Sequence, residues 1–403
     1  MNNLYDAVII GAGASGMMCA IAAKQNNHSL RIALIEKNDR VGKKLLATGN
    51  GRCNLTNCHI TPEHYFGSFQ RQAGNIFAKY DSSFLLRYFS SLGLLASSDH
   101  EGRVYPLSRQ ASSVLDVMRF SCERLGVEFF CGETVCSVRK QREFIIKSKS
   151  GEWISDKLVI ACGSKAAPKL GGSASGADIL KNFGHTIVPF SPALCPLRVN
   201  SDVLKSLKGL RANGRVSLLH RDRAVRSERG EIQFADTALS GICVFNLSLY
   251  ARQGDRVTVD LFDDISESEL FKLLIKNRSL FSSLTIDNIF TGILQKRLAQ
   301  AVLKILGFRD FSQICGAVSK NELKQIAEKV KKISFEITDT TGFEQAQCAR
   351  GGVLGEEIDE TSMQSKKMRK LYICGETIDL CGECGGYNLH FAFVSGIIAG
   401  EHL

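Results

Sequence analysis

The feature that most constrains this chain lies in its first 36 residues. Ala7-Val8-Ile9-Ile10 is a short apolar strand, Gly11-Ala12-Gly13-Ala14-Ser15-Gly16 follows without a break, and Met17 to Lys24 is a helix-forming run. Arg31 to Ile35 reads as a second strand, closed by the acid Glu36. A strand, a G-x-G-x-x-G turn, a helix and a second strand ending in an acid, all within about 30 residues, is the pattern of a dinucleotide-binding βαβ unit. Gly11 permits the tight turn out of the strand. Gly13 lets the backbone approach a pyrophosphate. Gly16, with Ala20 a turn later, lets the helix lie close on the sheet. Ala14 and Ser15 open a helix whose free N–H groups face phosphate charge. Glu36 can accept hydrogen bonds from ribose hydroxyls, and its charge disfavours a 2′-phosphate. The alternative is an ordinary glycine-rich turn in an α/β protein.

After Glu36 and Lys37 comes a glycine-rich, basic stretch without clear period, Asn38 to Asn57. A loop of that length is usually functional. Lys43, Lys44 and Arg52 suit phosphate, and the backbone of Gly49 to Asn54 could pass close to a flat cofactor; a plain connecting loop is the other reading. Residues 75–130 read as two helices around the extended Gly102 to Pro106. Val127–Cys131, Thr134–Val138, Glu143–Lys147 and Trp153–Ser155 read as strands. Lys157 to Gly163 is a further buried strand ending in glycine, and Gly171 to Gly176 opens another helix. Pro189, Pro192 and Pro196 are three of only six prolines, and their crowding marks a domain crossing. Residues 197–262 hold short strands with polar turns, as in a small barrel or sandwich. Residues 266–331 are helical, with capping-box patterns at Ser266/Glu269 and Ser319/Glu322. Leu294 to Leu306 carries a helical apolar stripe that means core packing, and Ile333 to Ile337 returns as a strand.

The last region repeats the theme of the first. Lys370 to Glu376 is a strand with a Gly-acid end, followed by Asp379, Cys381-Gly382-Glu383-Cys384, Gly385-Gly386-Tyr387-Asn388-Leu389 and an apolar helix to Ala399. A second glycine-opened helix implies a second contact with one long cofactor, its N-terminal dipole stabilising negative charge on a reduced ring. On that reading a side chain at Gly386 damages the cofactor site more than the fold.

Four blocks together resemble the bacterial FAD-dependent oxidoreductases of the aminoacetone-oxidase-like or dehydro-bile-acid-reductase-like type, which share the glutathione-reductase-like FAD fold. They are Gly11–Gly16 with Glu36, Gly42 through Asn57, Ala349-Arg350-Gly351-Gly352-Val353, and Gly375-Glu376 through Leu389. The resemblance covers the whole chain. It implies an α/β protein with a discontinuous Rossmann-like FAD domain, a β-barrel-like insert and a small helical insert. The expected boundaries are 1–190 for the first part of the FAD domain, 191–264 for the β-rich insert, 265–332 for the helical insert, and 333–403 for a return strand and the second part. The implied cofactor contacts are Gly11, Gly13, Ala14, Ser15, Gly16, Glu36 and Lys37; Lys43, Lys44, Leu45, Gly51, Arg52, Cys53 and Asn54; Val135 near the adenine; Ala161 and Gly163; Gly375, Glu376 and Asp379; and Gly386, Tyr387, Asn388 and Leu389. Two features depart from the family: Ala235 to Ile242 fits its substrate-side segment only loosely, and the Cys381/Cys384 pair is foreign to it.

FAD carries the redox chemistry in such a site while the protein supplies orientation and polarity. Arg52, Asn54 and Tyr387 are the polar candidates near the ring, and no general base stands out. No second complete G-x-G-x-x-G follows a strand, so a dedicated NAD(P)H domain is not expected; a transient visit by the nicotinamide is neither supported nor excluded by the sequence. The Cys381/Cys384 pair reads either as a redox dithiol or, preferably, as two free thiols at a turn. The eight histidines show no metal spacing, so no metal is expected, and His390 reads as a satisfied core residue. The 14 scattered cysteines fit a reducing compartment, and the uncharged run 7–23 lacks a basic segment before it, so a cytoplasmic protein without membrane spans is expected. The leading function is an FAD-dependent oxidoreductase acting on a small organic substrate, exchanging electrons with NAD(P)H or oxygen. The net charge of +10 keeps a flavin-dependent RNA-modifying enzyme as an alternative, though nucleic acid is not the favoured partner. A non-catalytic flavin-binding sensor is the third class.

Overall fold

Ala7 to Ile10 can be apolar at every position because strand β1, Leu4–Ile10, is paired on both edges and covered on both faces. In the computed structural model, which describes residues 4–403, β1 runs parallel to β2, Ile32–Glu36, with Ile9 opposite Leu34. On its other edge it runs parallel to Glu152–Ile160, with Ile9 opposite Val159. Glu128–Cys131 extends the sheet beyond β2, and Phe144–Lys147 and Ser137–Lys140 extend it antiparallel on the far side. The segment read as two strands, Trp153–Ser155 and Lys157–Gly163, is one nine-residue strand. Its halves have different partners on one edge. Residues 152–155 pair with 144–147, whereas 158–160 pair in parallel with Leu371–Ile373. The polar Ser155-Asp156 step marks that change.

The chain therefore re-enters its first sheet near its end. One compact unit comprises the residues up to Ala193 together with Phe343–Leu403, and the other is Leu194–Gly342. In the first unit, helix α1 (Ala14–Asn26) packs on the terminal helix, Tyr387–Glu401. Gly396 and Gly400 make this close approach: a Cβ at either would collide with the carbonyl oxygen of Ser15 or Cys19. The two helices run in the same direction, and the start of α1 meets the terminal helix at Gly396, well past its first residue Tyr387.

The second unit holds a closed antiparallel barrel of Leu197–Asn200, Arg211–His220, Arg223–Phe234, Ala238–Ser240, Arg256–Asp260 and Ile333–Thr340. The last strand, grouped from the sequence with the returning segment, closes the barrel between Leu197–Asn200 and Arg256–Asp260. The helices are not a separate body. Leu270, Leu274, Leu298, Val302, Leu323 and Ile326 share one core with Val257, Val259 and Phe335 of the barrel. Both capping boxes form, at Ser266/Glu269 and Ser319/Glu322. Among the described residues, no helix is long and apolar enough to cross a membrane.

Candidate cofactor and active site

Ligands of parallel α/β sheets bind beyond the carboxyl ends of the strands. Here those ends are laced together: Gly11 N donates to Ile35 O at 2.8 Å, Ala161 N to Ile10 O at 2.9 Å, and Cys374 N to Ile160 O at 3.1 Å. Gly11 sits at φ +108°, and Gly16 presses the helix onto the Gly11 carbonyl. Gly13 differs. Its φ of −86° suits any residue, and nothing lies within 4 Å of where its Cβ would stand. No side chain caps α1, so the N–H groups of Ala14, Ser15 and Gly16 have no partner within the helix. Glu36 is 8% exposed. Its Oε2 accepts from Ala12 N at 3.0 Å, and its Oε1 accepts from Asn38 N at 2.9 Å and Asn38 Nδ2 at 2.7 Å. The acid thus braces the glycine turn at the end of β2, with half-buried Lys37 beside it. Glu133 N and Gly132 N donate to Glu36 O and Asn38 O, which brings half-buried Val135 to the same strand end.

The basic stretch is more ordered than a loop. Lys43–Ala47 is a short helix with Leu45 buried, and Thr48–Gly51 is a kinked turn containing exposed Gly51. Gly42 N donates to Ala12 O at 3.0 Å, tying it to the first turn. Lys43 pairs with Asp39 at 2.6 Å, and Lys44 Nζ meets Glu376 Oε2 at 2.6 Å. Glu376 Oε2 also accepts from Ser164 Oγ at 3.1 Å, beside half-buried Gly163. Two lysines that suited phosphate by sequence are therefore engaged by carboxylates. Exposed Arg52 donates from Nε to Gly49 O and stands 5.1 Å from the Tyr105 ring centre, with Arg109 at 4.9 Å from the same ring. Cys53 is buried, and burial pushes its thiol up to about 12, which removes it as a nucleophile. Asn54 is buried, and its Oδ1 has no hydrogen-bond partner.

The terminal segment is pinned by its own side chains. Asp379 Oδ2 accepts from Ser68 N at 2.9 Å and Oδ1 from Gly351 N at 3.0 Å. Asn388 closes a two-way bond with Gly382, accepting from N and donating to O at 2.8 Å each. Gly375 lies against Ser15 of α1; a Cβ there would stand 2.6 Å from the Ser15 hydroxyl. Gly386, at φ +102°, is pressed against Thr56 O and Asn54 Oδ1. The close approach at this glycine is to the chain itself, so packing alone already demands it. Leu389 packs on the core.

Three groupings escaped the sequence because their members are far apart in it. His64 Nδ1 meets the buried Glu383 Oε2 at 2.8 Å, and its ring stacks on Tyr387 with centroids 4.5 Å apart. Tyr387 is buried and its phenol is pushed up to about 12 by burial, so it stays protonated. His390 is fully buried, with Nδ1 on Thr56 Oγ1 at 2.8 Å and Nε2 on Tyr80 O at 3.0 Å; burial lowers it to about 4 and keeps it neutral. Cys381 meets Cys348, a residue the sequence reading did not single out. Among the described residues, no group of three or more His, Cys, Asp or Glu could hold a metal ion.

The open space over Gly13, the uncapped helix end at the carboxyl edge of the sheet and the unpartnered Asn54 Oδ1 fit a long dinucleotide held at both ends. Fold and site together define a flavin-dependent oxidoreductase of the two-segment Rossmann kind. Residues 5–402 match the family described as the HI0933-like protein Rossmann domain, and the chain belongs to that family; its cofactor is FAD and it is an enzyme. It is 32% identical over 400 residues to the 3-dehydro-bile acid delta(4,6)-reductase of Clostridium scindens, covering 98% of this chain and 97% of that one. It is 27% identical over 400 residues to the ribosomal RNA dihydrouridine synthase of Escherichia coli, covering 99% and 98%. Its fold is similar to that of 3-ketosteroid-delta4-(5alpha)-dehydrogenase from Rhodococcus jostii, at a TM-score of 0.53 and 13% identity over 99% of this chain and 96% of that one.

Proposed function

We propose that the enzyme reduces a carbon–carbon double bond conjugated to a carbonyl in a small organic molecule, with non-covalent FAD recharged by transient NAD(P)H. The observation that carries this reading is the full-length similarity, at 32% identity, to an enzyme named as a delta(4,6)-reductase of a 3-oxo compound. When bound, FAD supplies the hydride equivalent. Glu36 would hold the ribose, the N–H groups of Ala14, Ser15 and Gly16 the pyrophosphate, and Asn54 with the opening of the terminal helix the ring. Reduction also needs a proton delivered to the substrate. Tyr387 holds one on its phenol at neutral pH, and Glu383 orients the His64 ring that stacks on it. The parts of the site, residues 4–193 and 343–403, make up the FAD domain on this reading, and 194–342 the insert.

Anaerobic bleaching of the flavin by NADH or NADPH, then reoxidation by a 3-oxo-Δ4 steroid faster than by solvent alone, is the expected result. Reduction by a substrate followed by reoxidation only with oxygen would make the enzyme an oxidase and overturn the proposal.

A second reading has its own support. The E. coli relative is named for making dihydrouridine in ribosomal RNA, itself the saturation of a double bond conjugated to a carbonyl. The barrel hairpin Arg211–His220/Arg223–Phe234 carries exposed Arg221 and Arg223 at its turn. Salt-dependent RNA binding, with reoxidation of the reduced flavin by uridine-containing RNA but not by the steroid, would select it.

A further inference from the structure

Cys348 opens the strand Cys348–Val353, and Cys381 opens the short strand Cys381–Gly382. Both side chains are buried, and their sulfur atoms stand 2.8 Å apart. That is closer than two unbonded sulfurs rest, and within a small adjustment of the roughly 2.05 Å disulfide bond. The closeness does not depend on the sulfurs themselves. Asp379 holds both segments: its Oδ1 accepts from Gly351 N at 3.0 Å, and its N donates to Val353 O at 3.0 Å. A bridge between Val353 and Ile378 adds a further tie. The backbone ties therefore hold together the two segments that carry these sulfurs.

We propose that Cys348 and Cys381 form a reversible disulfide, a modification site in which the first cysteine of the C-x-x-C sequence takes Cys348, and not Cys384, as its partner. The oxidant is a low-molecular-weight disulfide. The Cys381 sulfur, having lost its proton, attacks one sulfur of the oxidant, whose S–S bond breaks and releases one thiol. Cys348 then attacks the Cys381 sulfur of the mixed disulfide and releases the second. Two protein thiols are oxidised, one small disulfide is reduced to two thiols, and the two protein protons end on those leaving thiols. Burial raises the Cys348 thiol well above its ordinary value, so the pair is inert until the segment around Cys381 opens, and thiol reductants restore it. The bond would staple Cys348–Val353 to the turn that leads into the terminal helix, within electrostatic reach of Glu376 and Lys44.

The test uses the FAD-loaded wild-type protein, so no variant need fold. It is oxidised under native conditions with glutathione disulfide, then unfolded in an alkylating reagent, digested and mapped by mass spectrometry. The expected product is a cross-link between the Cys348 and Cys381 peptides, with two fewer of the 14 cysteines alkylated. Because the bond closes a loop between residues 33 apart, the oxidised protein should also melt higher than the reduced one. Dithiothreitol should reverse both changes. A Cys381–Cys384 cross-link, or full alkylation of Cys348 and Cys381 after oxidation, would overturn the proposal. Neither outcome bears on whether the flavin reduces a double bond.

Discussion

Two helices in this protein open on glycine pairs, and the two openings are built for different reasons. At Gly11–Gly16 the outer glycines meet protein while Gly13 faces open space at an ordinary φ. Nothing in the chain requires a glycine there, and on the proposed function the open space is where the cofactor's pyrophosphate would approach. At Gly385-Gly386 both residues have positive φ, and Gly386 is jammed against Thr56 O. Similar sequence signatures thus meet open space in one place and the chain's own backbone in the other.

The sharpest way to break this contrast is a pair of variants. Gly386→Val adds strain at positive φ to overpacking against backbone, about 3–5 kcal/mol together, so the apo-protein should melt far lower. Gly13→Ala should leave the apo melting temperature unchanged or slightly raised, since alanine adopts that conformation freely. It should nevertheless weaken FAD binding at least tenfold in a fluorescence titration. Equal losses of stability in the two variants would erase the distinction.

His390 deepens the structural account of the second opening, because its N–H caps back onto Gly386 O at 2.9 Å. Its folded value of about 4 lies below the roughly 6.5 of an unfolded histidine, so the unfolded state binds the extra proton. The stabilisation is present above the unfolded value and is lost as pH falls through the window from about 6.5 to about 4, at most about 3 kcal/mol. Urea unfolding of wild type and His390→Gln across that window should show a flatter acid slope in the variant. Parallel slopes would mean that His390 does not titrate with unfolding.

The next effect belongs to the first opening. Glu36→Ala removes charge-assisted bonds to Ala12 and Asn38 as well as those expected to ribose, worth about 1.5–3 kcal/mol. FAD affinity should fall about 10- to 100-fold while the fold persists. An unchanged titration would mean that Glu36 serves the turn alone.

These contrasts also show what one sequence can reveal. The strand, turn, helix and acid from Ala7 to Glu36 were legible because all their signals are local. The lysines were legible as basic residues but not as partners, since Lys44 finds Glu376 332 positions away. His64 with Glu383, Thr56 with His390, and Cys348 with Cys381 are invisible for the same reason: each pairing is made by the fold, and no spacing announces it. The long strand Glu152–Ile160 was cut in two because its polar middle, Ser155-Asp156, mimics a turn, while its true cause is a change of neighbour along one edge.

The smallest predicted effect joins the two openings. Asn54 lies beside Gly386, and its buried Oδ1 has no partner in the protein. A buried acceptor left unpaired costs about 1–3 kcal/mol, a cost that a ligand donor would remove. Truncation in Asn54→Ala abolishes that desolvation cost but also gives up packing, so the apo-protein should change by no more than about 1 kcal/mol. Loaded with FAD, the same variant should bind the cofactor several-fold more weakly, because the donor on the ligand then has nothing to meet. The two measurements therefore move independently if Asn54 belongs to the ligand, and together if it belongs to the fold. A sharply lowered apo melting temperature with unchanged FAD affinity would assign Asn54, like Gly386, to the chain's own packing, and would leave the first opening as the part of the site shaped by its cofactor.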